Sequence, residues 1–500
     1  MTDNAMKLIR GSITTGLACC VAIVCMAVAT IGCRNENVDD YVMAVPADAE
    51  AVAAVRLDHI VRKAAINNSL LTKMQLSALT NSSALGGAGE ALAQFANNPS
   101  VSGLDFSSPA YFFKRGESMG LSLKVDDESM LDSFVDMLVD KGVCTRTRER
   151  NGMTWSTIMQ EATMVWNDGT LLITYPADNR LAAACMSCTF DDSFAATDAF
   201  NNMSEHSGDD IVLYANASVM TDEMKSAVKS KMPAGARWHD MELTAGIAFE
   251  AGRTTISALI SSTNPKIQSE IDRYGEALKP IGPDMVNMVP RGSALWMLMG
   301  ADGPRLLEVM KSLPGIKEQL IAMGLGIDVE QMLRAVDGDV LIAMNDLKAA
   351  TDAEQDETAS VGLYARLANT DFMADVDYWK QSAKDYGIDF QSVGNDQYRL
   401  HADNIDAYWA VDNHTLYLGT SAYRPLQVEG KNAFASRVEG QKLFIMADLS
   451  TVEPAISTLT ISSAGSGQLQ LEINMKNKNE NFLKQLPSIV LMGMAKMQEK

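Results

Sequence analysis

The order of apolar and polar residues repeats along the chain. Residues 45–55 contain a Val-Pro pair, a short polar turn and an apolar run, and residues 289–299 repeat that order at an offset of 244. A second pair, 211–218 and 443–450, matches at an offset of 232. Loop insertions change such an offset gradually and keep the matches in order. The pattern therefore predicts a tandem duplication of one unit, with copies at 45–285 and 286–500.

Each copy carries an amphipathic helix after a predicted hairpin. Apolar residues recur at three-to-four spacing behind Asp or Thr caps, which is the pattern of a helix with one buried face. In the first copy they are Met130, Leu131, Phe134, Val135 and Leu138, and in the second Phe372, Met373, Val376, Trp379 and Ala383.

Short strand signals joined by Asn/Asp turns follow each helix, as at 166–174 and 411–420. Such turns between apolar runs predict β-hairpins. The expected fold is α+β, with mainly antiparallel sheet and packed helices. Prolines and glycines between 280 and 290 mark the boundary between the two copies. The sequence does not decide whether the copies share one sheet.

The N-terminal residues 1–32 have the composition of an export signal. Lys7 and Arg10 precede an almost uncharged run from Ile13 to Gly32. A positive segment followed by an apolar one is typical of a secretory signal peptide. A run of this length also spans a bilayer, so a retained membrane helix is the alternative.

The segment Ala29-Thr30-Ile31-Gly32-Cys33 resembles the lipobox of bacterial lipoproteins. The resemblance implies cleavage between Gly32 and Cys33 and lipid attached to the Cys33 sulfur. Several acyl chains on one residue anchor a protein stably. Residues 33–44 then form a polar tether, and the expected location is the outer membrane, in a periplasmic or surface-exposed leaflet.

The lipobox, the Val-Pro-Ala-Asp-Ala segment at 45–49 and its apolar strand, and the duplication together resemble one family of Bacteroidota lipoproteins. That family is catalogued as domain of unknown function 4836. The resemblance covers the whole mature chain. It implies an architecture and an envelope location, and it brings no catalytic residues.

The chain carries a formal charge of −21, and loss of Asp3, Lys7 and Arg10 with the signal takes it to −22. A nucleic-acid backbone or an anionic lipid surface repels such a field, because phosphate binding requires Lys and Arg. Both are therefore excluded as partners of the folded body. The expected partners are therefore the membrane, contacted through the N-terminal lipid, and a protein in the envelope.

Cys185 and Cys188 have the Cys-x-x-Cys spacing of redox and metal sites, but they follow an Ala-rich helix end. Reactive pairs of this kind begin a helix, where its dipole lowers the thiol pKa. A local disulfide or two half-buried thiols are favoured over a redox or metal role. Only three cysteines lie beyond Cys33, so they cannot all pair.

The remaining candidates are weak. The five histidines lack metal spacing, and surface or cross-strand positions are favoured for them; an approach of His401 to His414, which fall on neighbouring predicted strands, is the alternative. A Ser-x-x-Lys tetrad, a glycine-rich stretch, an acidic loop and a methionine-rich last helix are each better explained by local structure. They lie at 226–229, 86–89, 346–359 and 482–497.

No catalytic, cofactor-binding or metal-ligating residue is therefore assigned, and the assigned residues are Gly32 and Cys33 at the cleavage and lipidation site. The sequence favours a non-catalytic binding or interaction protein of the cell envelope. The alternative is an enzyme, of hydrolase type, whose site is assembled only in the fold.

Overall fold

The computed structural model describes residues 38–64, 99–206, 208–229, 235–312, 328–345, 360–402, 405–428 and 430–486. The chain divides into two compact units. Unit 1 comprises Met1–Asn264 together with Lys478–Lys500, and unit 2 comprises Pro265–Asn477. The ends of a compact unit need not coincide with those of a sequence repeat. The repeat boundary between 285 and 286 thus stays a prediction.

Unit 1 contains ten described strands and six described α-helices. The strands are β1 (Ala51–Val55), β2 (Ala110–Arg115), β3 (Ser118–Lys124), β4 (Arg148–Arg150), β5 (Met153–Ile158), β6 (Ala162–Trp166), β7 (Thr170–Tyr175), β8 (Ile211–Asn216), β9 (Met241–Glu250) and β10 (Arg253–Ser262). The helices are α1 (Asp40–Met43), α2 (Leu57–Ala64), α3 (Glu128–Asp140), α4 (Asn179–Met186), α5 (Asp198–Ser204) and α6 (Asp222–Lys229).

These strands form one antiparallel sheet in the order β4-β5-β6-β7-β3-β2-β1-β8-β9-β10. The central strand β1 pairs with β2 on one side and with the distant β8 on the other. The last described residues also belong to this unit: the Phe482 ring stacks on Phe249 at 5.9 Å, and Asn481 Nδ2 donates to the Phe249 carbonyl at 2.9 Å.

Unit 2 contains eleven described strands and five described α-helices. The strands are β11 (Leu278–Lys279), β12 (Leu295–Asp302), β13 (Val336–Met344), β14 (Val361–Leu367), β15 (Asp389–Gly394), β16 (Gln397–Ala402), β17 (Ile405–Asp412), β18 (Thr415–Gly419), β19 (Leu443–Asp448), β20 (Ile456–Gly465) and β21 (Gln468–Met475). The helices are α7 (Pro265–Glu276), α8 (Gly303–Ser312), α9 (Val329–Ala335), α10 (Val376–Asp385) and α11 (Ala435–Val438).

The sheet of unit 2 has the same pairing order as that of unit 1. It runs β15-β16-β17-β18-β14-β13-β12-β19-β20-β21, all antiparallel, with the short β11 added beside β12. The central strand β12 takes the place of β1, and β19 takes that of β8. The predicted α+β class with antiparallel sheet and packed helices is confirmed.

Local chemistry explains where the predicted helices and turns begin and end. The Asp127 carboxylate accepts from the Met130 backbone N–H and so caps α3, which ends before Gly142 at φ +73°. In unit 2, α10 likewise ends before Gly387 at φ +73°. Asn413 and His414 both have positive φ, as a two-residue hairpin turn requires.

Helices and loops cover one face of the central strands in each unit. In unit 1 the buried face of β1, β2 and β8 meets α1 and α4, and the Phe194 ring lies 5.2 Å from Tyr214. In unit 2 the matching face includes Trp296 and Leu298, packed against α11 and the 281–289 loop. The helices α3 and α10 cover the β4–β7 and β15–β18 ends of the opposite face.

A buried carboxylate fixes α2 to the sheet of unit 1. The Asp210 side chain is 0% exposed. It accepts from Lys63 Nζ at 2.5 and 2.6 Å and from the Phe249 backbone N–H at 2.7 Å, and His59 Nδ1 lies 3.1 Å away. Two side chains of one helix thus converge on one carboxylate at the start of β8. Removing one member of such a buried group leaves the others uncompensated.

We expect Asp210→Ala to lower the free energy of unfolding by about 3 kcal/mol, because Lys63 and the Phe249 N–H lose their acceptor. Urea denaturation followed by circular dichroism measures the change. The neighbouring Asp209→Asn is the control, since Asp209 pairs with His206 near the surface. Equal stability of the two variants would show that the buried group is not what holds α2.

Candidate functional site

The histidines serve local structure in the described part of the chain. His206, His239 and His401 each lie beside an aspartate, at 3.2, 3.4 and 2.8 Å. His401 stands opposite Asp406 at one end of β17, whereas His414 lies in the turn beyond its other end. The two are six strand residues apart, or about 20 Å. The register therefore excludes the approach of His401 to His414 that the sequence left open as an alternative, and His401 is a cross-strand histidine.

The His401 partner, Asp406, is mainly held by an arginine. Arg399 donates to both of its carboxylate oxygens, at 2.8 and 3.0 Å, and this contact, followed by that of His401, lowers the pKa of Asp406. Bidentate pairs of this geometry fix side chains on a strand surface. Among the described residues, no group of three or more His, Cys, Asp or Glu side chains has the geometry of a metal site.

Cys185 and Cys188 are both free thiols. Cys185 lies in the last turn of α4 and is 1% exposed, and burial raises its pKa to about 12. Burial also raises the pKa of Cys188, whose Sγ lies 3.4 Å from the Ala184 carbonyl. The pair sits at a helix end, as the sequence predicts, where the dipole does not favour a thiolate.

The other predicted candidates divide into two groups. Ser226 and Lys229 are exposed on α6 and line no described cavity. Cys33 and the segments 86–89, 346–359 and 487–497 lie outside the described residues, so lipidation at Cys33 stays a prediction.

Unit 2 has an open pocket of about 280 Å³ between residues 287–293 and 430–434. Trp296, Phe434 and Met446 form its apolar wall, and Arg291 and Lys431 lie on its rim. None of its thirteen described lining residues is acidic.

In unit 1 the two corresponding segments are joined by backbone hydrogen bonds. The Ala47 N–H donates to the Asp192 carbonyl at 3.0 Å, and the Phe194 N–H donates to the Val45 carbonyl at 2.8 Å. An isolated β-bridge also pairs Pro46 with Ser193 between these two segments.

In unit 2 the hydrogen bonds of the matching segments differ. Phe434, the counterpart of Phe194, donates its N–H to Asn432 Oδ1 at 2.9 Å, and the Asn432 N–H donates to Asn287 Oδ1 at 2.9 Å. The turns before the two central strands still match. The Ser293 N–H donates to the Pro290 carbonyl, as the Ala49 N–H donates to the Pro46 carbonyl. The pocket thus opens where the two units differ in hydrogen bonding.

The second face of each central sheet is also apolar. In unit 2, two rows of directly paired side chains cross six neighbouring strands, and all twelve are apolar and half-buried. We call them the apolar face of unit 2. They are Leu363, Ile342, Met297, Ile445, Ile461 and Leu471 in one row and Val361, Met344, Leu295, Ala447, Leu459 and Ile473 in the other.

The equivalent rows of unit 1 contain eleven apolar residues and Lys114, which pairs with Glu50 at 2.6 Å. Phe112 is 40% and Met119 52% exposed on this face. We call these rows the apolar face of unit 1. They are Leu121, Phe112, Ala53, Leu213, Ala245 and Ala258, and Met119, Lys114, Ala51, Ala215, Leu243 and Ile260.

The signal for the apolar faces is present in the sequence. The central strand of unit 2 reads Leu295-Trp296-Met297-Leu298-Met299, and since successive side chains point to opposite faces, a continuous apolar run is apolar on both. The pocket has no such signal, because it depends on which loop N–H bonds to which acceptor. In the part of the chain that the structure describes, no helix is long and apolar enough to cross a bilayer.

Comparison with solved structures gives distant likenesses. The structure described as crystal form III of TP0453 is 8% identical, covers 50% of this chain and 91% of its own, and has a TM-score of 0.27. Crystal forms I and IV of TP0453 are 10% and 9% identical, cover 48% and 49% of this chain and 87% and 89% of their own, and have TM-scores of 0.26 and 0.28. Such TM-scores do not establish a shared fold.

No curated protein matches the chain. A family model described as "Domain of unknown function (DUF4836)" matches residues 41–429, which span the sheet of unit 1 and the sheet of unit 2 up to β18. The protein therefore belongs to the DUF4836 family.

Proposed function

We propose that the protein is a non-catalytic binding protein of the cell envelope, anchored by lipid at Cys33, which holds long apolar ligands on the apolar faces of its two units. The observation that carries the proposal is the pair of half-open apolar rows in each sheet. Soluble proteins rarely expose contiguous apolar surface, and where they do it marks a binding site.

The composition of the apolar face of unit 2 favours an apolar ligand. Its twelve side chains include neither a charge nor a hydrogen-bonding group. Met297 and Met344 add flexible side chains that adapt to irregular shapes. Six strands at about 4.8 Å spacing give a width of about 24 Å, against about 15 Å for one leaflet of a bilayer's hydrocarbon core. One row thus has room for an extended hydrocarbon chain.

The polar groups that stand out in the structure have local partners, which supports a non-catalytic role. Asp210 fixes α2 to the sheet, and Arg399 fixes Asp406 across a hairpin. Buried thiols with raised pKa values are poor nucleophiles at neutral pH.

The location follows from the sequence of the first 44 residues. The Gly32-Cys33 pair supports cleavage and lipidation, and the net charge of −21 supports a body held off anionic surfaces by its tether. An outer-membrane position in the Bacteroidota manner is part of the proposal. The shared strand order of the two units supports their origin by duplication.

Nile red, a neutral apolar dye, tests the apolar face of unit 2. We expect the mature chain to enhance the fluorescence of the dye saturably. The double variant Met297→Gln, Ile445→Gln should lose at least half of the fluorescence enhancement that unit 2 contributes, because each change puts an amide into the row. Unchanged circular dichroism must accompany the loss.

Val428→Gln is the matched control, since Val428 is 68% exposed and lies outside both rows. It should bind the dye as the unsubstituted chain does. Absence of dye binding by the unsubstituted chain, or equal binding by all three proteins, would contradict the proposal.

Lipidation is tested by Cys33→Ala in cells fed labelled palmitate. We expect an uncleaved precursor that carries no label, because the sulfur that receives the lipid is gone. Cys25→Ala, within the signal segment, is the control and should be labelled and cleaved normally. Label that persists in Cys33→Ala would refute the assignment.

Thiol alkylation tests the inert character of Cys185. Because burial raises its pKa to about 12, its thiolate fraction at pH 8 is about 10⁻⁴. We expect iodoacetamide to modify Cys188 first and Cys185 only on unfolding, as read by mass spectrometry. Fast modification of Cys185 in the native protein would restore the redox alternative.

A further inference from the structure

We infer that the outer edge of β4 in unit 1 binds an extended segment of a protein partner in which acidic and basic residues alternate. The strand reads Arg148-Glu149-Arg150 and ends the sheet on its side, since among the described strands it pairs only with β5. Residues 145–150 are all exposed. This edge lies outside the two rows of the apolar face of unit 1, so the ligands of the two surfaces are independent.

The backbone of this edge is open to a further strand. The two-residue turn 151–152 has positive φ at both positions, so Arg150 and Met153 flank it as a hydrogen-bonded pair. Because hydrogen-bonded and non-hydrogen-bonded pairs alternate along an antiparallel ladder, the N–H and carbonyl of Glu149 point away from β5. Neither these groups nor the Thr147 backbone bonds to another described residue. An added strand therefore has donors and acceptors to pair with.

The arginines of this edge are unpaired, although the chain has 63 acidic residues against 42 basic ones. The side chains of Arg148, Arg150 and the preceding Arg146 have no ion-pair or hydrogen-bond partner in the described part of the chain. By contrast, Arg115 and Arg253 of the same unit each bind a carboxylate. An exposed, unpaired guanidinium is free to bind a carboxylate in the bidentate manner.

Successive side chains of β4 carry opposite charges to opposite faces of the sheet. Arg148 and Arg150 share one face, because side chains alternate along a strand. Glu149 points to the other face, where burial and then the charges of neighbouring carboxylates, Glu149 among them, raise the pKa of Glu128. Directly opposite residues of an antiparallel pair share a face. The partner strand thus needs carboxylates opposite the arginines and an ammonium group opposite Glu149.

Other occupants fit this edge poorly. A twofold axis between two antiparallel β4 strands keeps each side chain on its own face, so Arg148 faces an arginine of the second copy. A polyanion meets Glu149 on one side and the net negative charge of the chain on all others. The matching edge strand of unit 2, β15, has one carboxylate, Asp389, and no basic residue. We therefore expect one site in each chain.

Fluorescence anisotropy of two labelled peptides mixed with the mature chain tests the inference. The first peptide, Thr-Glu-Lys-Glu-Lys-Glu-Lys-Glu-Thr, alternates its charges. The second, Thr-Glu-Glu-Glu-Glu-Lys-Lys-Lys-Thr, has the same composition in two blocks. We expect the alternating peptide to bind one-to-one with a Kd of about 1 mM or less, and the blocked peptide at least about fivefold more weakly, because only alternation satisfies both faces of the edge. Binding should weaken as salt is raised.

The double variant Arg148→Glu, Arg150→Glu should weaken the alternating peptide at least about tenfold, because two cross-strand attractions become repulsions. The double variant Arg62→Glu, Arg180→Glu makes the same change of charge at exposed arginines elsewhere in unit 1 and should bind as the unsubstituted chain does. Unchanged circular dichroism must accompany both variants.

Three outcomes would overturn the inference. Absence of binding at about 10 mM peptide would remove the site. Equal binding of the two peptides, or binding that the β4 variant retains, would leave no role for strand pairing at this edge. A dimer of the chain, or binding to anionic lipid vesicles, that only the β4 variant loses would assign the edge to a second copy or to a membrane.

Discussion

The structure of each unit depends on one antiparallel ladder whose central strand has partners far away in the chain. β1 pairs with β2 and with β8, about 160 residues further on, and β12 pairs with β13 and with β19 in the same way. Because these strands are apolar at nearly every position, both faces of the sheet must be kept from water. Helices and loops of the same unit cover one face and the far end of the other. The remaining rows, left half-buried by this arrangement, are the apolar faces on which we propose that ligands bind.

Two copies of one ladder give the chain freedom that a single copy lacks. Both units keep the same strand order and the same turn before the central strand, which are the features the ladder needs. Loops outside the ladder can then diverge at little cost to stability. In unit 1, backbone hydrogen bonds join the loops at 45–47 and 192–194. In unit 2 the Phe434 N–H donates to the Asn432 side chain instead, the Asn432 N–H donates to the Asn287 side chain, and a pocket lies between the two segments.

Sequence reasoning reached the fold class because its signals are local. The cap at Asp127, the glycines after α3 and α10 and the positive-φ turn at 413–414 each act within a few residues. The pairing of β1 with β8 is not local, and no pattern in either strand specifies its partner. The positions of His401 and His414 could not be resolved for the same reason: both lie near β17, but only the register shows that they occupy opposite ends. The pocket escaped detection because it depends on single hydrogen bonds in loops.

The acidity of the chain and the apolarity of its sheet faces act together. A charge of −21 repels anionic membrane surfaces over about a Debye length, roughly 8 Å at physiological salt. In the proposed lipid-anchored form, this charge keeps the body from spreading its apolar faces onto the membrane. The proposed apolar ligands carry no surface charge and are not repelled in this way.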